Sequence, residues 1–487
     1  MPVVGQLPGS AVASGSARAF GSALGSLDDL PGPRYAALAR RVRERVASGE
    51  LPVGTRLPGE RELAAALGLS RVTVASAYRV LREEGFARTR HGSGTVVELP
   101  PGRAAADWPP HDTGLVDLAH AAPGAAGQLV PAYRAALDQL PRLLDDHGYH
   151  PGGLPSLRAA VAARFTARGL PTEPEQVVVT AGTMDATAVV LQTLVQAGDR
   201  VLVEHPTYPG AVTVIEQAGG RCIPVPVDAA APDALVEAVH LAARQSAPRL
   251  AYLMPDFSNP SGAVLSAAGR RRLAATLWRH GVLGVVDEVS AELRLDGAQD
   301  VPPFAASLPD AATVTLGGLS KVVWGGLRIG WLRTDAALAA RLGAALGHRQ
   351  MTVSALDQLT AVELFARWDD VLAERRALLR HRRDVLLGEL AEHLPDWQVT
   401  PPAGGLSLWC RLPAGLGSAA LAAAAAPHGL VLAEGRAFGT GHAFDDHLRL
   451  PFTLGEDDLR TAVAVLAGLV GQVQTTAGRT SRAVAVV

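Results

Sequence analysis

Of the 45 Lys and Arg residues in this 487-residue chain, one is a lysine, Lys321. Arginine can replace lysine in nearly every structural role, but a guanidinium does not condense with an aldehyde and a primary amine does. A solitary lysine therefore points to covalent work at that nitrogen. The plainer alternative is an accidental survivor in an arginine-rich composition. Three other segments carry groups that such chemistry needs. In MPDFSNPSG, Asn259 sits in a turn beside Pro260, and VLGVVDE ends an apolar run on Asp287, an expensive place for an unpaired carboxylate. VVVTAG leads into Gly182 and Thr183, whose backbone N–H groups at a helix start suit a phosphate. Arg328 follows Lys321 by seven residues in KVVWGGLR. Together these parts suit a phosphorylated pyridine bearing an aldehyde. Lys321 serves the aldehyde, Asp287 a protonated ring nitrogen, Asn259 a ring oxygen, and the Gly182 turn with Arg328 the phosphate. Taken singly, each has an ordinary explanation as a helix cap or a rigid turn; their joint occurrence carries the reading.

Residues so far apart in sequence need a scaffold that gathers them. QVVVT, RVLVE, LAYLM, VLGVVD and ATVTL are apolar strands alternating with alanine–leucine helices. That pattern predicts a parallel or mostly parallel sheet covered on both faces, with chemistry at the carboxyl ends of its strands. The predicted body spans 117–470, with a large part over about 150–370 and a small C-terminal part over about 371–470. Residues 471–487 are expected to form a flexible tail.

Ahead of the body lies a different kind of unit. The chain carries a net charge of -2, yet twelve arginines and six glutamates between Arg34 and Thr95 make that stretch about +6, leaving about -8 elsewhere. A helix from Tyr35, a short helix from Glu60, a break at Gly68, a helix capped by Ser70 and two extended pieces around HGSG have the order of a winged helix-turn-helix over residues 30–98. Ser70, Arg71 and Thr73 stand at the amino end of the last helix, and His91, Gly92 and Ser93 form a slim wing tip. Val72, Ala75 and Val80 are expected to face inward with Leu63 and Leu67. A small helical domain with solvated arginines is the alternative. Residues 1–29 read as a disordered segment and 99–116 as a Pro/Gly-rich linker. No stretch reads as a membrane span, and the N-terminus lacks a secretion signal. With only Cys222 and Cys410, neither a disulfide framework nor a metal site is expected, and a cytoplasmic location is.

RLPGERELAAALGLSRVTVASAYRVLREEGFARTRHGSGTVV resembles the DNA-binding domain of the GntR family of bacterial regulators. From near Asp117 to Val465 the chain resembles fold-type I aminotransferases, on YHPGGLPSLRAAVA, VVVTAGTMDA, GDRVLVEHPTYPG, MPDFSNPSG, LSK, GGLRIGW, PAGGLSLW and LRLPFT. The two together are similar to the MocR subfamily. The resemblance implies a multidomain chain: an all-α/winged helix-turn-helix head on an α/β PLP-dependent transferase-like (fold type I) body with a small C-terminal α/β subdomain. It implies pyridoxal phosphate held as a Schiff base on Lys321, with Gly182, Thr183 and Arg328 around its phosphate side, Asp287 on the pyridine nitrogen, Asn259 on the ring oxygen, Tyr208 stacked on the ring and Ser320 among the cofactor-binding residues. Tyr149 would reach the phosphate across a homodimer interface, and Arg449 would clamp an amino-acid carboxylate. Arg61, Arg71 and Thr73 would contact an operator. Gly59, Met184, Val289, Gly318 and Trp324 depart from the residues more usual there. The implied function is a DNA-binding transcription regulator that senses pyridoxal phosphate and/or an amino acid or amine. An active aminotransferase with an attached DNA-binding domain is the second reading, and a scaffold with an inert body the third.

Overall fold

The computed structural model describes residues 17–24, 33–47, 51, 55–83, 86–90, 94–97, 114–145, 147–297, 301–439 and 443–483. The chain divides into two compact units, Met1–Pro110 and His111–Val487.

In the first unit, helices Arg34–Ala47, Glu60–Leu67 and Arg71–Glu83 precede the antiparallel strands Ala87–Arg90 and Gly94–Val97. Gly68, at φ 65°, ends the second helix in the left-handed conformation that glycine adopts without strain. The third helix buries Val74, Ala77, Tyr78 and Leu81, spaced at i, i+3, i+4 and i+7. That stripe turns Val72 outward, 74% exposed, and leaves Ala75 and Val80 half-buried, which corrects the expected inward face. A further helix, Ala17–Leu24, lies inside the segment expected to be disordered. Leu24 is buried in the core of this unit and Phe20 packs against it, so tertiary burial supplies what eight residues lack in helix propensity.

The second unit is built on a seven-stranded sheet. From one edge to the other its strands are Val177–Thr180, Gly330–Arg333, Thr313–Gly318, Leu283–Asp287, Leu250–Leu253, Arg200–His205 and Arg221–Pro226. Gly330–Arg333 is antiparallel to both neighbours, and the remaining ladders are parallel. Val177–Thr180, Leu250–Leu253 and Thr313–Gly318 are buried along their whole length, as strands covered on both faces must be. Six strand ends thus point the same way, and the segments holding Gly182, Lys321, Asp287, Asn259 and Tyr208 all leave from that edge. Helix Trp368–His393 leads to a five-stranded sheet of Gln398–Val399, Ser407–Arg411, His447–Pro451, Leu430–Glu434 and Val116–Leu118. The last of these runs parallel to Leu430–Glu434, so Val116, expected to end the linker, already belongs to the body. The closing helix runs Glu456–Ala483, into the expected tail, because no proline interrupts it before Ala483. None of the described helices is long and apolar enough to cross a membrane.

Candidate functional site

At the first strand end the chain turns at Gly182, φ 89°, into helix Thr183–Leu194. A Cβ on Gly182 would lie 2.9 Å from the Arg328 guanidinium, which donates to the Ala181 carbonyl. Arg328 and the amino end of this helix therefore lie side by side, two sources of positive potential in one place. The Thr183 hydroxyl donates to the Gly317 carbonyl at 3.1 Å, and a Cβ on residue 318 would come within 2.5 Å of that hydroxyl oxygen. Gly318, a departure from the usual serine, is thus matched by Thr183: the hydroxyl occupies the space a side chain would need.

Lys321 leaves the end of strand Thr313–Gly318. Its Nζ donates to the Ala121 carbonyl at 2.8 Å. Burial pushes its pKa down to about 8, the Arg449 charge pushes the same way, and Asp287 opposes both. Asp287 is buried at the end of Leu283–Asp287. Its Oδ2 accepts from the Tyr252 hydroxyl at 2.7 Å and its Oδ1 from the Val289 backbone N–H at 2.9 Å. Burial raises the Asp287 pKa, while these two bonds and Lys321 restrain the rise. Val289 acts through its main chain; its side chain lines a small cavity with Arg168, Glu288 and Trp331.

Arg449 is buried on strand His447–Pro451, its guanidinium 4.8 Å above the Phe438 ring. It donates to Asn259 Oδ1 at 3.2 Å and to the Ala119 carbonyl, while its Nε has no hydrogen-bond partner among the described residues. Burial lowers its pKa to about 10, against the pull of Tyr208 and Asp117. Tyr208 flanks helix Pro209–Gln217 within electrostatic reach of Asp287 and Arg449; burial, then Asp287, raise its pKa and Arg449 lowers it. Gly210 gives the phenol room, since a Cβ there would meet the ring at 2.6 Å.

The structure therefore brings Lys321, Asp287, Asn259, Tyr208 and Arg449 into one electrostatically linked group and sets Gly182, Thr183 and Arg328 beside one another. Ser320 lies half-buried in the turn before the lysine. Tyr149 stays outside: it is 47% exposed and stacks on His147, with ring centroids 5.6 Å apart. Met184 packs on the core beneath the helix start, and Trp324 is 40% exposed.

Two groups in this neighbourhood escape a linear reading. Tyr252 stands mid-strand in LAYLM, where it reads as one more buried aromatic. Its register partner is Val285, two residues before Asp287, and only that pairing shows that its hydroxyl meets the carboxylate. Glu204 is 1% exposed; it accepts from the Met254 N–H at 2.6 Å and the Ser258 hydroxyl at 2.5 Å, gripping both ends of the turn that presents Asn259.

In the first unit, Ser70 Oγ accepts from the Thr73 N–H at 3.0 Å and meets Thr73 Oγ1 at 2.8 Å, the geometry of a helix cap. Arg61 and Arg71 are exposed, Arg71 Nε lying 3.4 Å from Glu60 Oε2. Gly59 precedes helix Glu60–Leu67 without a side-chain cap. His91, Gly92 and Ser93 lie outside the described residues.

Residues 34–97 match the bacterial regulatory proteins of the gntR family, and residues 116–466 match aminotransferase class I and II. The HTH-type pyridoxine biosynthesis transcriptional regulator PdxR of Corynebacterium glutamicum is 31% identical over 439 residues, covering 85% of this chain and 93% of that protein. The probable rhizopine catabolism regulatory protein MocR of Rhizobium meliloti is 30% identical over 406 residues, covering 76% and 79%. The chain belongs to the MocR-type regulators of the GntR family. The body of this MocR-type regulator also superimposes on a solved α-aminoadipate aminotransferase, LysN of Thermus thermophilus, complexed with N-(5'-phosphopyridoxyl)-L-leucine. The TM-score is 0.68 at 26% identity, over 75% of this chain and 94% of that one. An aminotransferase-like body of fold type I implies a capacity for pyridoxal phosphate, and the residues present fit that group. A half-buried amine, a buried carboxylate, a glycine at a helix start against Arg328 and an orphaned guanidinium nitrogen on Arg449 are the donors and acceptors it requires.

Proposed function

We propose that this regulator holds pyridoxal phosphate at Lys321, recognises that cofactor and/or an amino acid or amine there, and binds operator DNA as a homodimer. The observation that carries this reading is the sole lysine, half-buried within electrostatic reach of Asp287 and Arg449, with its pKa brought down to about 8. When bound, pyridoxal phosphate supplies an aldehyde that condenses with primary amines and a ring that withdraws electrons from them. The chain's part is to hold and orient. Asp287, fixed by Tyr252 and Val289, offers a carboxylate to a protonated ring nitrogen. Asn259 turns Oδ1 to Arg449, which leaves its amide nitrogen to donate to a ring oxygen. Gly182, Thr183, Ser320 and Arg328 receive the phosphate, Tyr208 covers the ring face, and Tyr149 completes the cradle from a second copy of the chain. Arg449 receives a carboxylate, its Nε being desolvated without a partner. In the first unit, Arg61, Ser70, Arg71 and Thr73, with the wing residues His91, Gly92 and Ser93, meet the operator.

Turnover as an aminotransferase is the second reading, and one observation favours it: an amine with a pKa near 8 can both release and take up a proton near neutral pH. One experiment separates the two. Purified protein with pyridoxal phosphate should develop a visible absorbance band, and borohydride should fix the pyridoxyl group on Lys321 by peptide mapping. Operator binding is then measured with a panel of amino acids and amines. A response without steady conversion of amino acid and keto acid supports the sensor. Steady turnover abolished by Lys321→Ala supports the enzyme, and the absence of both band and adduct ends the proposal.

A further inference from the structure

One stretch of backbone touches both groups that the proposed ligands use. After strand Val116–Leu118 the chain passes beneath Arg449 and Lys321. The Ala119 carbonyl accepts from the Arg449 guanidinium, and the Ala121 carbonyl accepts from Lys321 Nζ at 2.8 Å. Asp117 shapes this passage. Its Oδ1 accepts from the Ala119 N–H at 2.8 Å and its Oδ2 meets His120 Nδ1 at 2.7 Å, while its charge acts on Arg449.

The two ends of the stretch are held differently. Downstream, the buried Arg375 on helix Trp368–His393 donates to the Gly124 carbonyl at 2.7 Å and to the Val322 and Val323 carbonyls at 2.7 and 2.9 Å. That one guanidinium ties the stretch to the turn just after Lys321. The neighbouring Glu374 accepts from the Gly127 N–H at 3.1 Å. Upstream, the stretch is the outermost strand of the five-stranded sheet, and its ladder partner among the described residues is Leu430–Glu434. It is also where the covalent chain from the DNA-binding unit enters the body.

We infer that Val116–Ala121 is a strap that reads the occupancy of Lys321 and Arg449 and passes it to the chain coming from the DNA-binding unit. The inference rests on the reading of those two residues as ligand-binding groups and assigns the site its output. A molecule that engages the lysine amine competes with the Ala121 carbonyl, and a carboxylate forked across the partnerless Nε and the Nη2 of Arg449 competes with the Ala119 carbonyl for Nη2. The downstream anchor at Arg375 and Glu374 does not touch the ligand groups' polar atoms, so the displaced end is the upstream one. The signal is therefore a change in how firmly residues 116–121 are held, which is a difference in stability between two states that a ligand can bias.

The test uses the full-length protein, with amide hydrogen exchange read by mass spectrometry over residues 114–123. The probes are pyridoxal phosphate, followed by its absorbance, and N-(5'-phosphopyridoxyl)-L-leucine, followed by its fluorescence, with DNA from upstream of the gene as the operator. Both probes should bind and change exchange over residues 116–121 roughly tenfold or more, while residues 124–128 stay unchanged. In Asp117→Ala these amides should exchange at the altered rate before any probe is added, and operator affinity should no longer respond to the probes. Asp117→Asn keeps the Oδ1 acceptor and should restore the response, which separates loss of the strap from loss of the fold. Probe binding with no change over residues 116–121, or an Asp117→Ala protein that responds as the parent does, overturns the strap and leaves the ligand site standing. If neither probe binds, the ligand site itself falls, and the strap with it.

Discussion

The pKa of Lys321 gives the most direct handle on the site. A free lysine amine at 10.5 is about 0.03% neutral at pH 7, whereas one held at about 8 is about 9% neutral, a gain of roughly 300-fold in the reactive form. A weaker base is also a weaker nucleophile, so the net expectation is capture of pyridoxal phosphate on the order of a hundredfold faster than by an exposed lysine. Capture, measured as the rate of band formation or of borohydride-fixed adduct between pH 6 and 10, should rise with pH and reach half its plateau near pH 8. The causes of the shift set the signs for the variants. Arg449→Met removes a charge that lowers the pKa, so the midpoint must move to higher pH. Asp287→Asn removes a charge that raises it, so the midpoint must move to lower pH. The reasoning is refuted if the midpoint lies above pH 10 in the parent protein, or if both variants move it the same way.

Drawing this cation partly out of water also has a cost. A fall from 10.5 to about 8 is worth roughly 3 kcal/mol, present in full below pH 8 and lost as pH rises through 10.5, since over that window the unfolded chain holds more protons. Urea unfolding of cofactor-free Lys321→Met at pH 7 should therefore show a gain of up to about 2 kcal/mol, once about 1 kcal/mol is allowed for the orphaned Ala121 carbonyl. Tyr252→Phe should cost about 1–3 kcal/mol in the same assay, because it removes a donor from a buried carboxylate, and should weaken cofactor binding in a fluorescence titration. Gly330→Ala would drive its Cβ into the Gly182 main chain and to 2.6 Å from the Thr183 nitrogen, so cofactor affinity should fall at least about tenfold. In the DNA-binding unit, Arg71→Ala should reduce operator affinity; loss of a bidentate base contact there costs about 1–3 kcal/mol and relaxes one position of the site, whereas loss of a phosphate contact flattens the salt dependence, and a gel-shift titration at several salt concentrations separates them.

Much of this protein can be read along the chain. A single lysine, an aspartate closing an apolar strand and a glycine turn before a helix are local signals, set by what an amine can do, what a buried carboxylate costs and what a backbone N–H can donate. The alternation of strands and helices likewise dictates a covered sheet whose strand ends collect those residues. Burial follows less closely. Val72 looks as apolar as Val74, and only the packing of helix Arg71–Glu83 against its neighbours decides that one is 74% exposed and the other buried. Ala17–Leu24 is too short to be a helix on its own account and becomes one by burying Leu24. The same holds within the site. Tyr252 meets Asp287 through the register of two strands, Glu204 holds the Asn259 turn from a third, and the carbonyls of Ala119 and Ala121 face groups some 200 or more residues away in sequence. Side-chain chemistry is a property of the residue and can be read from its letter. Which atom stands 2.8 Å from which is set by sheet register and packing, and it exists only once the chain has closed on itself.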